Sequence, residues 1–258
     1  MLETGGLDLD KFEAHLANYQ AHVKEDIEKR LAFIREQVDG PGLGGAVVGI
    51  SGGIDSAVTA ALCVRALGRD RVIGVWMPAY SLPVHEEDSR KLAEAIQLDL
   101  FTVDIGPAYD AILPAIEGVL KLDDKTRGNT KARLRMTTLY AIANQKGYLV
   151  ADTCNRSEVY VGYMTKGGDG LADFNPVASL TKHEMRILAR ELGVPESIIV
   201  KPPSADLWEG QTDEQEMGFT YEELDRLLIT GETNPEAKKR IDYLHRISEH
   251  KRRLMPEI

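Results

Sequence analysis

The spacing of apolar residues along the chain predicts short buried strands that alternate with amphipathic helices. Between Phe12 and Val38, apolar side chains recur every three or four positions, which predicts a long helix over about 9–39 that ends before Gly40 and Pro41. Short apolar runs typical of buried strands lie at 46–50, 72–77, 100–103 and 148–151. Further helices are predicted at 55–67, 86–97, 129–146, 181–192, near 221–229 and at 235–249.

This alternation predicts an α/β fold in which a parallel sheet is covered by helices on both faces. No internal repeat, low-complexity tract or linker divides the chain, so we predict a single domain over 1–258. Its expected parts are the N-terminal helix, a sheet core over about 45–200, and a C-terminal loop with helices over about 201–258. Within the last part, 201–220 is predicted to be a long irregular loop.

Charge and cysteine content narrow the classes of function. The 258 residues include 31 basic and 41 acidic side chains, a net charge of −10, which argues against nucleic acid or an anionic membrane as a partner. A small anionic substrate is still compatible, since it needs only a local cluster of Lys and Arg. The two cysteines, Cys63 and Cys154, provide neither a disulfide framework nor a four-ligand zinc site. No basic segment followed by an apolar stretch opens the chain, and no apolar run approaches ~20 residues, so we expect a cytoplasmic protein without a membrane span.

Two glycine-rich segments flank the first predicted strand, and only the second is placed to bind phosphate. Residues 40–45 match G-x-G-x-x-G but precede the strand, whereas a dinucleotide fingerprint must follow one. Residues 49–56 follow the strand and open a helix, where backbone N–H groups and the helix dipole attract phosphate. The segment lacks the lysine of a Walker A loop, and Asp55 beside a polyphosphate makes sense only with a bridging Mg²⁺ ion. The predicted phosphate-binding residues are Gly49, Ile50, Ser51, Gly52, Gly53, Ile54, Asp55 and Ser56.

The sequence SGGIDS at 51–56 resembles the pyrophosphate-binding loop of the ATP-pyrophosphatase superfamily. Members of that superfamily split ATP between its α- and β-phosphates and transfer AMP to an acceptor oxygen. Further segments resemble NAD synthetases, in family order over about 45–253: 128–136 (GNTKARLRM), 153–158 (TCNRSE), 165–173 (TKGGDGLAD), 180–182 (LTK), 203–207 (PSADL), 211–214 (QTDE) and 250–252 (HKR). The resemblance implies a Rossmann-like fold of the adenine nucleotide α-hydrolase type.

The resemblance also implies a reaction and a set of site residues. In NAD synthetases, ATP adenylates the nicotinate carboxylate of deamido-NAD, and ammonia then displaces AMP to give NAD, in the last step of NAD biosynthesis. ATP contacts are implied at 49–56, Thr153, Lys182 and Ser204. Mg²⁺ ligands are implied at Asp55 and Glu158. Deamido-NAD contacts are implied at Arg133, Lys166, Asp173, His250 and Lys251.

The same resemblance implies a homodimer that shares the dinucleotide site across its interface, for which the N-terminal helix is a candidate surface. Loops near 80–90 and 201–220 are expected to close over ATP and exclude water. Because nothing like an amidase domain precedes the synthetase part, free ammonia is the expected donor unless a separate amidase subunit supplies it. Two places depart from the family pattern. Gly167 replaces an aromatic residue, and the stretch 154–157 replaces small or His-containing forms, so that Arg156 is either a phosphate contact or a surface residue.

Two other hypotheses stay open from the sequence. One is another ATP-pyrophosphatase enzyme that adenylates a different acceptor, such as one that thiolates tRNA; such enzymes use a catalytic Cys and usually a basic RNA-binding surface. The other is a non-catalytic module that senses ATP or AMP. Such a module would need neither a second metal carboxylate such as Glu158 nor cations such as Lys166 and Lys251.

Overall fold

The computed structural model describes residues 9–204 and 212–257. Four strands within these residues form one parallel sheet in the order β3-β2-β1-β4: β1 (Ala46–Ile50), β2 (Val72–Trp76), β3 (Asp99–Thr102) and β4 (Leu149–Val150). The chain therefore builds the sheet from β1 outward to β3 and then returns to the other side of β1. Ligands of such sheets bind at the carboxyl ends of the strands where the order reverses, which here lies between β1 and β4.

Helices occupy most of the remaining described chain. They are α1 (Leu9–Asp39), α2 (Ile54–Leu67), α3 (Pro83–Ile96), α4 (Gly106–Glu117), α5 (Asp124–Lys146), α6 (Arg156–Val161), α7 (Lys182–Leu192), α8 (Glu196–Ile199), α9 (Asp213–Met217), α10 (Tyr221–Thr230) and α11 (Pro235–Ile247). Short 3₁₀ turns follow at Arg69–Arg71 and Glu249–Lys251. Of the helices that the structure describes, none combines the length and apolar character needed to cross a membrane.

Helices cover both faces of the sheet, as the sequence predicts. On one face, Val48 and Ile50 of β1 pack with buried residues of α1, α2 and α7. On the other face, Val47 of β1 and Val75 of β2 pack with Met136 of α5. Successive residues of β1 therefore enter two different cores, because neighbouring side chains of a strand point to opposite faces.

The apolar face of α1 packs inside its own chain. Phe12, Ile27 and Ile34 are buried, and α1 contacts α2, α7 and α10. Periodicity alone left open whether this face packs within or between chains. Because the face is already covered, it is not available as the dimer surface that the sequence suggested.

The C-terminal helices form a smaller apolar cluster against α6. Val161 of α6 packs with Met217, Phe219, Tyr221 and Ile241. This packing brings α9 and α10 next to the segment that follows β4. Side chains from the last quarter of the chain therefore reach the point where the strand order reverses.

The predicted ends of strands and helices agree with the structure where the apolar pattern is strong. Each of the four strands lies within one residue of its predicted range, and the long N-terminal helix has its predicted limits. The helix predicted from 129 begins earlier, at Asp124, because the Asp123 side chain caps it by accepting a hydrogen bond from Thr126 N. Helix α4 is missing from the predictions, since Gly106 begins it and Pro114 lies inside it, and both residue types usually interrupt helices.

The prediction of a wholly irregular segment at 201–220 is wrong at α9. Thr212 caps this short helix, since its side chain accepts a hydrogen bond from Gln215 N. The residues 205–211, which belong to the same predicted loop and to two of the motifs, lie outside the described residues.

Candidate active site

A cavity of about 290 Å³ lies at the carboxyl ends of β1 and β4. It is lined by 49–56, which are the last two residues of β1 and the residues that follow it, by Thr153 and Glu158 after β4, and by Lys182 and Ser204. The residues that the sequence assigns to ATP and to Mg²⁺ therefore line one cavity. That cavity lies at the switch point of the sheet, where this topology places ligands.

The loop between β1 and α2 depends on glycine at position 52. Gly52 has a left-handed φ of +75°, and a Cβ there would lie 2.5 Å from the backbone oxygen of His85. Ser56 closes the loop, because its Oγ donates to Gly53 O at 3.0 Å and accepts from Ser51 N at 3.1 Å. Helix α2 begins directly after Gly53, which has no side chain to cap the first turn. The first N–H groups of α2 therefore form a site that an anion can occupy.

A buried lysine joins two carboxylates in the cavity. Lys182, the first residue of α7, donates from Nζ to Asp55 Oδ2 at 2.6 Å and to Glu158 Oε1 at 3.2 Å. Its side chain is 3% exposed, and Nζ lies 4.9 Å from the centre of the Tyr221 ring. Asn155 Nδ2 donates to Asp55 Oδ1 at 2.9 Å, so both oxygens of that carboxylate accept a hydrogen bond. A cation at a helix N-terminus opposes the helix dipole, so the carboxylates, and not the helix, stabilise Lys182 here.

This cluster holds more acidic groups than basic ones, and the pKa values of its members reflect that excess. Burial, together with the charge of Asp55, raises the pKa of Glu158 to about 8, although Lys182 opposes the shift. Burial lowers the pKa of Lys182, but Asp55 and Glu158 outweigh burial and the pKa is raised above its usual value. The hydroxyl of Tyr221 links Glu158 to a third buried carboxylate, Asp213, at 3.3 and 3.1 Å, and burial raises the pKa of Asp213. Three carboxylates around one lysine favour the binding of a further cation.

Local capping explains why the chain places Glu158 and Lys182 in the first turns of helices. Asn155 caps α6, since its Oδ1 accepts from Glu158 N at 3.0 Å while Glu158 Oε2 accepts from Asn155 N at 3.1 Å. Thr181 and Glu184 make the same reciprocal pair at the start of α7. Such capping boxes are encoded over four consecutive residues and need no distant partner.

A buried carboxylate of α10 ties these two helix starts together. Asp225 accepts hydrogen bonds from Ser157 Oγ and, at 2.9 and 2.7 Å, from His183 N and Nδ1. Ser157 Oγ in turn accepts from Lys182 N at 3.2 Å. Because Ser157 precedes Glu158 and His183 follows Lys182, Asp225 fixes the spacing between the two site residues.

Sequence reasoning missed three residues of this cluster: Asp213, Tyr221 and Asp225. Asp213 lies in the QTDE segment that carries part of the family resemblance, and that segment was the one available signal. Arg156, which the sequence left as a phosphate contact or a surface residue, donates from Nη2 to Leu228 O at 3.1 Å. This bond holds α6 to α10.

Four of the five residues implied for deamido-NAD form one connected group. Arg133 Nε donates to Lys166 O at 3.2 Å, and Lys166 Nζ donates to His250 O at 2.7 Å. His250 and Lys251 line a second cavity of about 170 Å³. Tyr163 lines both this cavity and the first one, so the two cavities adjoin at its side chain.

Asp173, the fifth residue, is bonded to the sheet and to α5. Its Oδ2 accepts from Val150 N at 2.7 Å, and its Oδ1 accepts from Tyr140 OH at 3.2 Å. Gly167, at the position where the family resemblance expects an aromatic residue, has a φ of +76°, and a Cβ there would lie 3.9 Å from Arg133 Nε. Glycine therefore suits the backbone at 167 and leaves space beside Arg133.

The two loops expected to close over ATP are only partly loops. The prediction near 80–90 is wrong from Pro83 onward, because α3 begins there. In the short loop before α3, Tyr80 has a φ of +62° and its hydroxyl donates to Asp110. On the second segment, 201–204 line the first cavity, whereas 205–211 lie outside the described residues. Closure over ATP stays a prediction.

Comparisons with known proteins find similar chains along most of this length. A family model described as NAD synthase matches residues 26–255. The chain is 44% identical over 237 residues to an NH(3)-dependent NAD(+) synthetase of Carboxydothermus hydrogenoformans, covering 91% of this chain and 97% of that protein. Among solved structures, the NMN synthetase from Francisella tularensis is similar with a TM-score of 0.87 and 38% identity, over 92% of this chain and 98% of that one. An NH3-dependent NAD synthetase from Campylobacter jejuni is similar with a TM-score of 0.75 and 34% identity, also over 92% of this chain and 98% of that one.

Proposed function

Because the chain belongs to the NAD synthase family, we propose that it catalyses the ATP-dependent amidation of deamido-NAD with ammonia, giving NAD, AMP and pyrophosphate. The observation that carries this proposal is the single cavity that unites the phosphate loop with Asp55, Glu158 and Lys182. A non-catalytic ATP sensor would not need the second carboxylate, and the family match disfavours a different acceptor for AMP.

The reaction brings together two anions, ATP and deamido-NAD, so the site residues must reduce the repulsion between them. In the first step, a carboxylate oxygen of nicotinate attacks the α-phosphorus of ATP, the bond to the α–β bridging oxygen breaks, and pyrophosphate leaves. In the second step, ammonia attacks the adenylated carbonyl carbon, AMP leaves, and the nitrogen loses a proton. Positioning and electrostatic stabilisation should supply most of the rate. We assign the N–H groups of the phosphate loop, Lys182, Thr153 and Ser204 to the phosphates of ATP.

We propose Asp55 and Glu158 as Mg²⁺ ligands. Their oxygens lie 2.6 and 3.2 Å from the same Lys182 Nζ, so the two carboxylates face one point of the cavity. In the part of the chain that the structure describes, no three His, Cys, Asp or Glu side chains are grouped to hold a metal alone, so substrate phosphates and water must complete the coordination. A bound Mg²⁺ ion would neutralise charge on the carboxylates and on the phosphates.

We assign deamido-NAD to the connected group of Arg133, Lys166, His250 and Lys251. Two phosphates and a nicotinate carboxylate give this substrate three negative groups, and cations oppose them through charge-assisted hydrogen bonds. Asp173 would contact ribose or amide donors, because an ionised carboxylate can only accept hydrogen bonds.

A homodimer is proposed as well, with a surface other than the buried apolar face of α1. Large apolar side chains are exposed along the segment from the loop before α3 to the end of α4 and just beyond it, namely Tyr80, Leu82, Val84, Phe101, Ile112, Val119 and Leu120. Where such side chains lie together in one patch, they favour a protein–protein contact. Sedimentation velocity would measure the oligomeric state, and a monomer at micromolar concentration would contradict the proposal.

We also propose a cytoplasmic location. Cys63 and Cys154 are both buried free thiols, which is usual for proteins of a reducing compartment. Fractionation of the source cells would test this location.

A second candidate is the same chemistry on a mononucleotide. It is favoured by the similarity to the NMN synthetase from Francisella tularensis, with a TM-score of 0.87. The phosphate loop and the Asp55–Glu158–Lys182 cluster would serve both reactions. The difference would lie in whether the second cavity receives the adenylate half of a dinucleotide.

One experiment distinguishes these functions. The purified chain is given Mg-ATP and either deamido-NAD or nicotinate mononucleotide, with ammonium or glutamine as nitrogen donor, and products are separated by chromatography. NAD formation from deamido-NAD with ammonium supports the main proposal, and a higher kcat/KM for the mononucleotide supports the second candidate. ATP binding without either product would contradict both.

A further inference from the structure

Lys201 lies at a point where three segments of the chain meet beside the phosphate loop. Its Nζ donates to Gly52 O at 3.3 Å, to Asp88 Oδ2 at 2.9 Å and to His85 Nδ1 at 2.9 Å. Asp88 and His85 belong to α3 and are buried, while Lys201 follows α8 and precedes Ser204 in the lining of the first cavity. One side chain therefore joins the phosphate loop, the start of α3 and the segment that carries Ser204.

The bond to Gly52 O controls a peptide unit that faces the cavity. Gly52 C=O and Gly53 N–H belong to the same planar peptide, so fixing the carbonyl also fixes the direction of the N–H. Gly53 N–H donates to Ser51 Oγ at 3.2 Å. Glycine is the residue with the widest choice of backbone angles, so two adjacent glycines do not hold this peptide by themselves. The bond from Lys201 adds a contact from outside the loop to the bond that Ser51 makes within it, and so favours one orientation of the peptide.

We propose that Lys201 is a positioning residue that holds the phosphate loop in its binding conformation through Gly52 O, with Asp88 as its anchor. This inference rests on the proposed use of the loop to bind the pyrophosphate part of ATP. An ammonium group has three N–H donors, and the three acceptors Gly52 O, His85 Nδ1 and Asp88 Oδ2 account for all of them. Lys201 could contact phosphate directly only by giving up one of these bonds.

Two variants test the proposal, and a neighbouring lysine supplies the control. Lys201→Met removes the ammonium group, and Asp88→Asn keeps the shape of the anchor but removes its charge. Lys91, whose Nζ lies 3.7 Å from Asp88 Oδ1 on the exposed side of α3, gives the control Lys91→Met. The readouts are hydrogen exchange of the amides at 51–54 in the ligand-free protein and the Kd of Mg-ATP by calorimetry. Urea titration of each variant checks that it is folded.

We expect Lys201→Met to speed exchange at 51–54 and to raise the Kd of Mg-ATP by about tenfold or more, as loss of a charged hydrogen bond predicts. Asp88→Asn should shift both readouts in the same direction by a smaller factor, and Lys91→Met should leave both unchanged. If Lys201→Met does not fold, Asp88→Asn decides alone.

The sign of the Asp88→Asn effect separates positioning from direct contact. If Lys201 bound phosphate itself, releasing it from Asp88 would leave Mg-ATP affinity unchanged or raise it, and this result would overturn the proposal. Unchanged exchange at 51–54 in a folded Lys201→Met variant would overturn it as well. Exchange is measured without substrates, so faster exchange in a chain that forms no NAD would support Lys201 as a positioning residue while contradicting the proposed function.

Discussion

Replacing Lys182 with methionine should be among the most destabilising substitutions of a single charged side chain in this chain. The variant Lys182→Met keeps an unbranched side chain of similar length but removes the cation between Asp55 and Glu158. The Lys182 side chain is 3% exposed, and those of the two carboxylates are 19% and 12% exposed. Water in the cavity therefore reaches the two carboxylates only in part, and it brings no positive charge to replace that of the lysine.

The size of the effect follows from burial. Removing one member of a buried ion pair costs about 3–5 kcal/mol, because the remaining charge has no partner. Asp55 loses its charged partner, whereas Glu158 keeps a proton near pH 7 and loses only a hydrogen bond, so we expect the loss of unfolding free energy to lie within that range. The neutral double variant Lys182→Met with Asp55→Asn should recover part of the loss, since it leaves one fewer unpaired charge.

The loss should grow with pH. Lys182 lowers the pKa of Glu158, so its removal raises that pKa further above the value of about 8 in the unchanged protein. The folded variant then keeps a proton that the unfolded chain has already released above about pH 4.5. Stability falls with rising pH wherever the folded state binds more protons than the unfolded state. In the unchanged protein Glu158 already keeps this proton up to about pH 8, so the difference between the variant and the unchanged protein opens above that value and should be larger at about pH 9.5 than at about pH 6.

Urea unfolding in EDTA, followed by circular dichroism at both pH values, measures these differences. Lys238→Met is the matched control, because Lys238 Nζ lies 2.7 Å from Asp242 Oδ2 but both side chains are about half exposed. Exposed pairs contribute at most about 1 kcal/mol, so the control should lose little. A loss in Lys182→Met no larger than in the control, or equal at both pH values, would refute the reasoning from buried charge.

Three further predictions concern the glycine loop, the metal and a buried thiol. Gly52→Ala places a Cβ 2.5 Å from His85 O at a φ of +75°, so the unfolding free energy should fall by about 1–3 kcal/mol and ATP binding should weaken. Urea titration and calorimetry measure the two effects. The control Gly118→Ala, at a φ of −64°, should change neither. Glu158→Gln should lower turnover and raise the Mg²⁺ concentration needed for half-maximal rate; unchanged kinetics would disprove the metal assignment. Burial raises the pKa of Cys63 to about 12 from the usual 9, so its thiolate fraction at pH 8 drops about 1,000-fold and a thiol reagent should label it only after unfolding. Rapid labelling of Cys63 in the folded chain would contradict its burial. Because the Cys63 thiol keeps its proton to a higher pH in the folded chain than in the unfolded one, its contribution to stability falls as pH rises from 9 toward 12.

The parts of the fold that the sequence predicts are those set by neighbouring residues. Apolar runs and helical spacing act over five to thirty residues, and they place β1, β2, α1 and α2 close to their observed bounds. The phosphate loop is local in the same sense, since its glycines, hydroxyls and following helix are contiguous. Helix α4 shows the limit of this reasoning, because its glycine and prolines favour a break while its buried Tyr109 packs it against the protein.

The parts that the sequence does not predict depend on contacts between distant residues. The Lys182–Asp55 bond joins residues 127 positions apart, and the Lys201–Gly52 bond joins residues 149 positions apart. Charged residues such as Asp88 and Asp225 have no local feature that distinguishes them from surface carboxylates, yet both are buried. Lys182 is the exception, since a cation at the first turn of a helix opposes the dipole and therefore signals a partner elsewhere.

The chain is acidic although its proposed substrates are anions, so the positive charge that binds them must be local. The lysines of the site supply it, because neighbouring carboxylates hold them in fixed positions. A chain with a net charge of −10 does not attract nucleotides through a broad positive field. It instead places single lysines at fixed points, each held by carboxylates: Lys182 by Asp55 and Glu158, and Lys201 by Asp88. The carboxylates orient the lysines but leave the cluster around Lys182 with surplus negative charge. Free ATP would add more negative charge beside this cluster, whereas a Mg²⁺ ion between the carboxylates and the phosphates would neutralise part of the charge of both, so we expect the proposed site to bind ATP more tightly with Mg²⁺ than without it.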